Sequence, residues 1–162
     1  MNWLTNFVKP KINALVKRRD APENLWRNCP NCGHMLHHKE LYENLDVCIS
    51  CDYHFRMSLD RRIETLFAKE NFHEIKLDEL PDDPLNFVDT KKYTDRLMEY
   101  RKKTQRNDAF VLGKAAFDNK TVIAGFMNFD FMGGSMGRAV GGGIVKGAKE
   151  SIANQCPYLL FT

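Results

Sequence analysis

The sequence has no apolar run near the length of a membrane helix. About 20 consecutive apolar residues are needed to span a bilayer, and no stretch of the 162-residue chain approaches that number. The apolar start, Trp3 to Val8, is too short for a secretory signal, and its basic residues follow it rather than precede it. We therefore expect no membrane partner. We expect residues 1–24 to form a basic, flexible arm.

The sequence also has no recognisable catalytic side-chain set. Its glycine-rich stretch matches neither the P-loop nor the dinucleotide-binding pattern. No serine–histidine–acid combination or pair of carboxylates stands out, and His73 is an isolated histidine. From its residues alone, the chain identifies no catalytic group.

Cysteine is scarce but clustered. Four of the five cysteines fall within 23 residues in a C-x2-C-x15-C-x2-C pattern: Cys29, Cys32, Cys48 and Cys51. This spacing is typical of a four-thiolate zinc site; the alternatives are a set of disulfides or an accidental cluster. Four sulfurs complete a tetrahedral shell with no open position, so we expect one structural Zn²⁺. The neighbouring histidines are then expected at the surface: His34, His37, His38 and His54.

Unpaired thiolates imply a reducing compartment, which favours a cytoplasmic protein. Cys156, in an apolar stretch before Pro157, is expected to be a plain buried thiol.

The charge distribution leaves a second class of function open. The net charge is +3, but residues 1–28 carry six basic against two acidic residues, whereas residues 29–56 carry two against four. A zinc ribbon that binds nucleic acid through the basic arm is therefore the alternative to an enzyme. The acidic balance of the ribbon, and a lack of exposed aromatics interleaved with basic residues, oppose it.

Local patterns predict the secondary structure after the first knuckle. Short strands are expected at Met35–Leu36, Leu41–Tyr42 and Leu45–Val47. Two helices are expected, one capped by Ser58 and running to about Lys69, the other capped by Thr90 and running from Lys91 to about Thr104. A β-hairpin with its turn at Asp118-Asn119 should begin near Phe110.

The last third of the chain predicts a βαβ unit. Seven of the ten glycines lie between positions 133 and 147. Beyond them Val140, Ile144, Ala148 and Ile152 recur at helical spacing, and a strand should begin at Pro157. Glycines before a helix let backbone N–H groups approach a phosphate or a polarised oxygen, although close helix packing explains them equally well.

Together these stretches resemble one family, the β subunits of bacterial acetyl-coenzyme A carboxylase carboxyltransferase. The resemblance is carried by the cysteine ribbon with Trp26 and by four further segments: Tyr53–Met57, Phe87–Tyr93, Asp95–Leu97 and Phe129–Gly137. It implies an α+β fold, in which an N-terminal zinc ribbon precedes the first β-hairpin and βαβ unit of an incomplete crotonase-like (ClpP/crotonase) fold.

The resemblance also implies an activity and its partners. The carboxyl group would pass from carboxybiotin, on a biotin carboxyl carrier protein, to acetyl-CoA, giving malonyl-CoA for fatty acid synthesis. The implied partners are a carboxyltransferase α subunit, in an α2β2 heterotetramer, and biotin carboxylase. In such enzymes backbone N–H groups stabilise an enolate oxyanion. The residues on the acyl-CoA side would be Gly133, Gly134, Ser135, Met136 and Gly137.

The same resemblance divides the chain and limits what it can do. The expected parts are an arm (1–24), a zinc ribbon (25–56), a helical connector (57–108) and the truncated start of a carboxyltransferase domain (109–162). Family members continue past the Pro157–Thr162 strand into a turn that supplies further oxyanion donors, so no catalytic residue is identified here. We expect the 162-residue chain alone to be inactive.

Overall fold

The computed structural model describes residues 25–162, which form two compact units with their boundary between Arg56 and Met57. The basic arm predicted over residues 1–24 lies outside the described residues. Among the described helices, none has the length and apolar character needed to cross a bilayer.

The first unit is a short hairpin followed by one helix. Strand β1 (Trp26–Asn28) pairs antiparallel with β2 (Met35–His37), and helix α1 spans His38–Glu43. The His37 side chain caps α1 by accepting the Lys39 N–H, while the Glu40 carboxylate accepts the His37 N–H. This reciprocal pair is a capping box, which satisfies donors that a helix start leaves unpaired.

Two predicted strands of this unit are wrong. Leu41 and Tyr42 lie inside α1. Leu45 and Asp46 have φ of 53° and 59°, in the left-handed region that a strand cannot use, and Val47 forms only an isolated bridge with His54. The predicted strand at Met35–Leu36 is confirmed as part of β2.

The second unit is a four-stranded sheet with helices on both faces. Its elements in chain order are α2 (Leu59–Phe67), β3 (Phe72–Glu74), α3 (Tyr93–Thr104), β4 (Phe110–Phe117), β5 (Lys120–Met127), α4 (Arg138–Ala153) and β6 (Tyr158–Phe161). The strand order is β3-β4-β5-β6, with β6 parallel to β5 and the other pairs antiparallel. The predicted hairpin and βαβ unit are therefore present.

Local capping explains where the helices begin. The Ser58 hydroxyl accepts the Arg61 N–H, as predicted, and α2 ends at Phe67 because Ala68 takes a φ of 56°. The predicted Thr90 cap is wrong, since α3 begins at Tyr93 without a side-chain cap.

An aspartate occupies the entry to α3 instead. The Asp89 carboxylate accepts the Lys91 N–H and two bonds from Arg96, at 2.6 and 2.8 Å. Asp89 therefore ties the approach segment to the first turn of α3, and Thr90 is left at the surface.

The β4–β5 hairpin turns where the sequence predicted. Asp118 and Asn119 have φ of 47° and 59°, and Phe117 pairs with Lys120 across them. Two consecutive left-handed residues match the twist of the flanking strands, and aspartate and asparagine tolerate that region well.

Two apolar layers cover this hairpin. On one face α2 packs through Ile63 and Phe67 against residues that include Val111 and Phe126. On the other face α3 and α4 pack against Phe110, Leu112 and Ile123. Phe126 and Ile123 lie three residues apart on opposite faces of β5, and both are completely buried.

Glycines let α4 lie close to the sheet. A Cβ on Gly143 would come within 2.5 Å of the Phe110 ring, and one on Gly147 within 2.6 Å of the Tyr158 ring. These distances are shorter than van der Waals contact. Helix α4 can therefore pack this closely on the sheet only because positions 143 and 147 are glycines, which have no Cβ.

Two alanine substitutions in α4 test this packing. Gly143→Ala should lower the free energy of unfolding by about 1–3 kcal/mol, because the new methyl group displaces the buried Phe110 ring. The matched control Gly141→Ala, whose Cβ meets nothing within 4 Å, should raise it by roughly 0.5–1 kcal/mol through helix propensity. Urea unfolding measures both, and equal stability of the two variants would contradict the packing.

Candidate functional site

The two cysteine pairs lie on two turns with the same hydrogen bonds. In the first, the Gly33 N–H donates to the Cys29 carbonyl (2.9 Å), and the Cys29 N–H donates to the His34 carbonyl (2.8 Å). In the second, Asp52 and Tyr53 take the places of Gly33 and His34 around Cys48, at 3.0 and 2.8 Å. The chain thus forms one turn twice.

A left-handed residue closes each turn. Gly33 has φ of +71° and Asp52 has φ of +56° at the equivalent position. Glycine adopts this conformation freely and aspartate more readily than most residues. The sequence pointed to Gly33 but not to Asp52, whose only signal was its distance of four residues from Cys48.

The turns bring four sulfur atoms together. Sγ of Cys29 lies 3.6 Å from that of Cys51, and Sγ of Cys32 lies 3.8 Å from that of Cys48. All four lie within 4.8 Å of one another. A tetrahedron with Zn–S bonds of about 2.3 Å has edges of about 3.8 Å. The spacing and the soft sulfur donors both fit one zinc ion.

The sulfurs differ in burial and in acidity. Cys29 and Cys48 are buried, Cys51 is half-buried and Cys32 is exposed. The pKa of Cys51 is lowered to about 6, mainly by a hydrogen bond with the Asn31 side chain. Burial raises the pKa of Cys48 to about 11. A Cys51 thiolate is therefore favoured at neutral pH, and a metal ligand must be in that form.

A small apolar cluster supports the cysteines. Leu36 and Leu41 are almost completely buried beside Cys29 and Cys48, and Phe55 joins them. The Arg27 guanidinium lies 4.5 Å from the centre of the Phe55 ring. Five buried residues make a very small core, so a metal ion at this site would supply much of the folding free energy of the ribbon.

In the part of the chain that the structure describes, these four cysteines are the sole group able to hold a metal ion. His37 accepts a backbone hydrogen bond at the start of α1, and His34, His38 and His54 are exposed. Cys156 is half-buried in the second unit rather than fully buried as expected.

The glycine-rich stretch forms a tight turn before α4. Residues Met132–Gly134 make one 3₁₀ turn in which all three have positive φ, of 48°, 68° and 74°. Asn128 fixes the segment that leads into this turn, because Asn128 is buried and its side chain accepts a hydrogen bond from the Asp130 N–H. Ser135 and Met136 are exposed, and so is Gly133, which has no side chain, so the turn presents backbone to solvent.

The turn leads directly into the start of α4. Gly137 is the N-cap and supplies no side-chain hydrogen bond, and the first turn carries no acidic residue. The first N–H groups of a helix have no partner within it. Together with the helix dipole, they form a surface that favours an anion or a polarised oxygen. The five residues of the predicted substrate loop are therefore contiguous at one helix start.

A separate cavity of the second unit is less suited to an anionic ligand. It has a volume of about 810 Å³ and lies between residues 74–82 and the end of α3. Its two arginines are already paired, Arg101 with Asp82 and Arg106 with Glu74 and Asp60. Burial also raises the pKa of Asp108 in its wall. Both arginines of this cavity are therefore already neutralised by acidic side chains.

Comparison with known proteins gives a consistent family. Residues 26–51 match the acetyl-CoA carboxylase zinc finger domain. The whole chain is 44% identical to the acetyl-coenzyme A carboxylase carboxyl transferase subunit beta of Dinoroseobacter shibae and covers 51% of it. It is also 44% identical to the Granulibacter bethesdensis subunit, covering 53%, and 42% identical over 99% of its length to the Rhodopseudomonas palustris subunit, covering 48%.

A solved structure gives a weaker match. Transcarboxylase 12S, with methylmalonyl-coenzyme A and methylmalonic acid bound, aligns with 66% of this chain and 19% of its own, at 16% identity and a TM-score of 0.46. Similarity at this level is too low to establish a shared fold.

The sequence matches and the cysteine geometry agree on one assignment. The chain spans about half the length of the curated relatives it matches. Its ribbon matches the acetyl-CoA carboxylase zinc finger domain, and the distances among its four sulfur atoms fit a structural zinc ion. Along its whole length, the chain is similar to about half of the acetyl-coenzyme A carboxylase carboxyl transferase β subunits.

Proposed function

We propose that this chain is part of a carboxyl transferase β subunit that transfers a carboxyl group from carboxybiotin to acetyl-CoA. The observation that carries the proposal is the 44% identity along the entire chain to a subunit of that name. In the reaction the C–N bond of carboxybiotin breaks and a C–C bond forms at the acetyl methyl carbon. The proton lost from that carbon ends on the biotin nitrogen, which gives malonyl-CoA and biotin.

The proposal assigns a part of the chain to each role. Residues 25–56 form the zinc ribbon, and residues 109–162 begin a crotonase-like core. Residues 57–108 connect them, and they also contribute α2, α3 and the edge strand β3 to the unit that contains the core strands. The arm at 1–24 completes the division proposed from the sequence.

The proposed zinc ligands are Cys29, Cys32, Cys48 and Cys51. Their support is the 3.6 and 3.8 Å sulfur separations and the common limit of 4.8 Å. Four thiolates leave no position for substrate, so the ion would hold the two turns together and take no part in carboxyl transfer. Paired thiolates of this kind persist in the reducing cytoplasm, which is the compartment we infer.

Serine substitution tests the ligand assignment. Cys48→Ser should abolish tight zinc binding, because a serine hydroxyl is a poor zinc ligand, and it should unfold the ribbon. Native mass spectrometry and a colorimetric zinc-release assay measure the content per chain. The matched control is Cys156→Ser, in the other unit, which should keep one zinc ion. Loss of zinc in the control, or its retention in Cys48→Ser, would refute the ligand set.

The glycine-rich turn is proposed as part of the wall of the acyl-CoA site. A thioester oxygen becomes negative as the enolate forms, and backbone N–H donors fixed in advance stabilise that charge. The turn at Gly133–Gly137 offers exposed backbone before an uncapped helix start. The side chains of Ser135 and Met136 would contact substrate rather than react with it.

The remaining substrates and partners follow from the family. We infer acetyl-CoA and carboxybiotin on a carrier protein as substrates, and a carboxyl transferase α subunit, in an α2β2 assembly, and biotin carboxylase as partners. The isolated 162-residue chain is expected to be inactive, since it covers 51% of the Dinoroseobacter shibae subunit.

The activity test uses a β subunit whose first half is this chain and whose remainder is taken from the Dinoroseobacter shibae relative, assembled with that organism's α subunit. We expect it to carboxylate free biotin from malonyl-CoA, detected as acetyl-CoA release, and the isolated chain to show no such activity. Activity of the isolated chain would contradict the proposal, as would an assembled complex without activity.

Two substitutions at one position test the turn. Gly133 has φ of +68°, and a Cβ there meets nothing within 4 Å. Gly133→Val should lower kcat/KM for malonyl-CoA about tenfold or more, because a β-branched residue at positive φ costs about 1–2 kcal/mol and distorts the turn. Gly133→Asn, which tolerates that conformation, should lose less. Full activity of both variants would remove the turn from the site.

The described ribbon gives little support to the alternative function, nucleic-acid binding. Three aromatic residues of the ribbon are exposed, Trp26, Tyr42 and Tyr53, at 54, 49 and 39%, but only Trp26 adjoins a lysine or arginine in the sequence. In addition, residues 25–56 carry three basic against four acidic residues. One of the three, Arg27, lies over the Phe55 ring. Phosphate contacts need an excess of positive charge, which this unit lacks.

A further inference from the structure

Two aromatic side chains lie against the glycine-rich turn, one near each end. The ring of Phe129 lies over Gly134, where an added Cβ would meet ring atoms at 3.0, 3.2 and 3.5 Å. Because Gly134 has no side chain, the ring can rest directly on the backbone of the turn. Phe129 is nevertheless 44% exposed. Its ring therefore lies at the edge of the turn and not in the core of the unit.

Tyr93 contacts the other end of the turn. Its hydroxyl oxygen lies 3.5 Å from the position that a Cβ on Gly137 would take. The side chain is half-buried and packs on the apolar layer that contains Phe131 and Val140, one on each side of the turn in the sequence. We call Phe129 and Tyr93 the aromatic bracket, since they contact the turn at Gly134 and at Gly137.

Contacts outside the turn hold Tyr93 in place. It is the first residue of α3, and its N–H donates to the Phe87 carbonyl at 3.1 Å. An ion pair between Asp89 and Arg96 ties the preceding segment to the same helix. The phenol ring is therefore carried by a helix that forms without the turn, and it offers the turn a fixed support.

The turn has few restraints of its own. Ser135 and Met136 are exposed, and the Ser135 hydroxyl has no hydrogen bond to any residue that the structure describes. The backbone bonds are local, such as Gly134 N–H to the Phe131 carbonyl at 2.8 Å and Gly137 N–H to the Ser135 carbonyl at 3.2 Å. Glycine is the least restrained residue, so contacts from outside the turn limit its conformation.

A site made of backbone N–H groups works only if those groups are fixed before the reaction. Donors arranged in advance stabilise a negative oxygen without the cost of reorganisation, and a misplacement of about 1 Å can cost about 100-fold in rate. Phe129 has no group that exchanges protons, so it can act on the reaction only through the turn. Burial and the nearby Asp108 and Asp82 raise the pKa of Tyr93, which keeps its hydroxyl neutral beside the turn.

We propose that the aromatic bracket positions the glycine-rich turn, so that Phe129 and Tyr93 are positioning residues for the backbone donors that face the thioester oxygen. The assignment of the turn to the acyl-CoA site rests on the proposed function, whereas the contacts that hold the turn do not. A loosened turn should lose stabilisation of the transition state more than binding of the substrate. The value of kcat should therefore fall while KM for malonyl-CoA changes little.

The kinetic test uses the β subunit completed from Dinoroseobacter shibae and assembled with that organism's α subunit. Phe129→Ala and Tyr93→Ala should each lower kcat about tenfold, with KM for malonyl-CoA changed by less than about twofold. Phe129→Tyr keeps an aromatic ring and should retain kcat within about threefold. The matched control is Phe117→Ala, because Phe117 is 50% exposed beside the turn that joins β4 to β5 and should not affect kcat.

Amide hydrogen exchange of the 162-residue chain measures the turn without any reaction. The N–H groups of Gly134 and Gly137 should exchange about tenfold faster in Phe129→Ala and in Tyr93→Ala, because the turn opens more often. The N–H groups that pair β4 with β5 should keep their exchange rates in both variants, which separates a local change from a loss of global stability. Phe117→Ala should leave Gly134 and Gly137 unchanged.

Three results would overturn the inference. These are unchanged exchange at Gly134 and Gly137, equally faster exchange throughout the β4–β5 pairing, and faster exchange of the turn in variants whose assembled complex keeps its full kcat. The exchange readout does not require activity. Faster exchange confined to the turn, together with an inactive unsubstituted complex, would therefore uphold the role of the aromatic bracket while counting against the proposed carboxyl transfer.

Discussion

The β4–β5 hairpin must be covered on both faces, and this constraint organises the second unit. Phe126 and Ile123 on β5 point in opposite directions and are both completely buried. A single layer of helices would leave one of them in water, at a cost of about 1.5–3 kcal/mol for such a side chain. The chain places α2 on one face and α3 with α4 on the other. Segments before and after the hairpin are therefore equally necessary for its stability.

The ribbon solves the opposite problem, because it has too few apolar residues to fold by burial. Its core consists of three apolar side chains and two cysteines. Backbone hydrogen bonds shape each turn around Cys29 and Cys48, and the left-handed residues Gly33 and Asp52 close them. Folding and metal binding are thus coupled: the turns direct four thiols to one ion, and the ion supplies the free energy that burial does not.

Elements that depend on a few adjacent residues were predicted correctly from the sequence. Predictions failed where tertiary packing or the geometry of the cysteines determines the conformation. The Ser58 cap and the Asp118-Asn119 turn depend on a few adjacent residues, and both were correct. Residues 41–47 alternate in a way that suggests strands, but the chain must turn sharply there to bring Cys48 to Cys32. The edge strand Phe72–Glu74 is three residues long, too short to carry a period of two.

The two parts of the candidate site differed in how far the sequence could specify them. Thiolates bind metal through side chains, so the spacing of four cysteines was sufficient to predict their convergence within 4.8 Å. A site made of backbone N–H groups leaves only an excess of glycine in the sequence, which close packing also produces. In α4 both causes operate: Gly143 and Gly147 make room for aromatic rings, whereas Gly133 and Gly134 have positive φ.

Helix α4 shows that hydropathy alone can predict the wrong buried face for a helix. Val140, Ile144, Ala148 and Ile152 share a helical spacing and suggest one buried face, yet Val140 is buried and Ile152 is 76% exposed. The sheet instead receives Gly143 and Gly147, because the rings of Phe110 and Tyr158 fill the space between helix and strands.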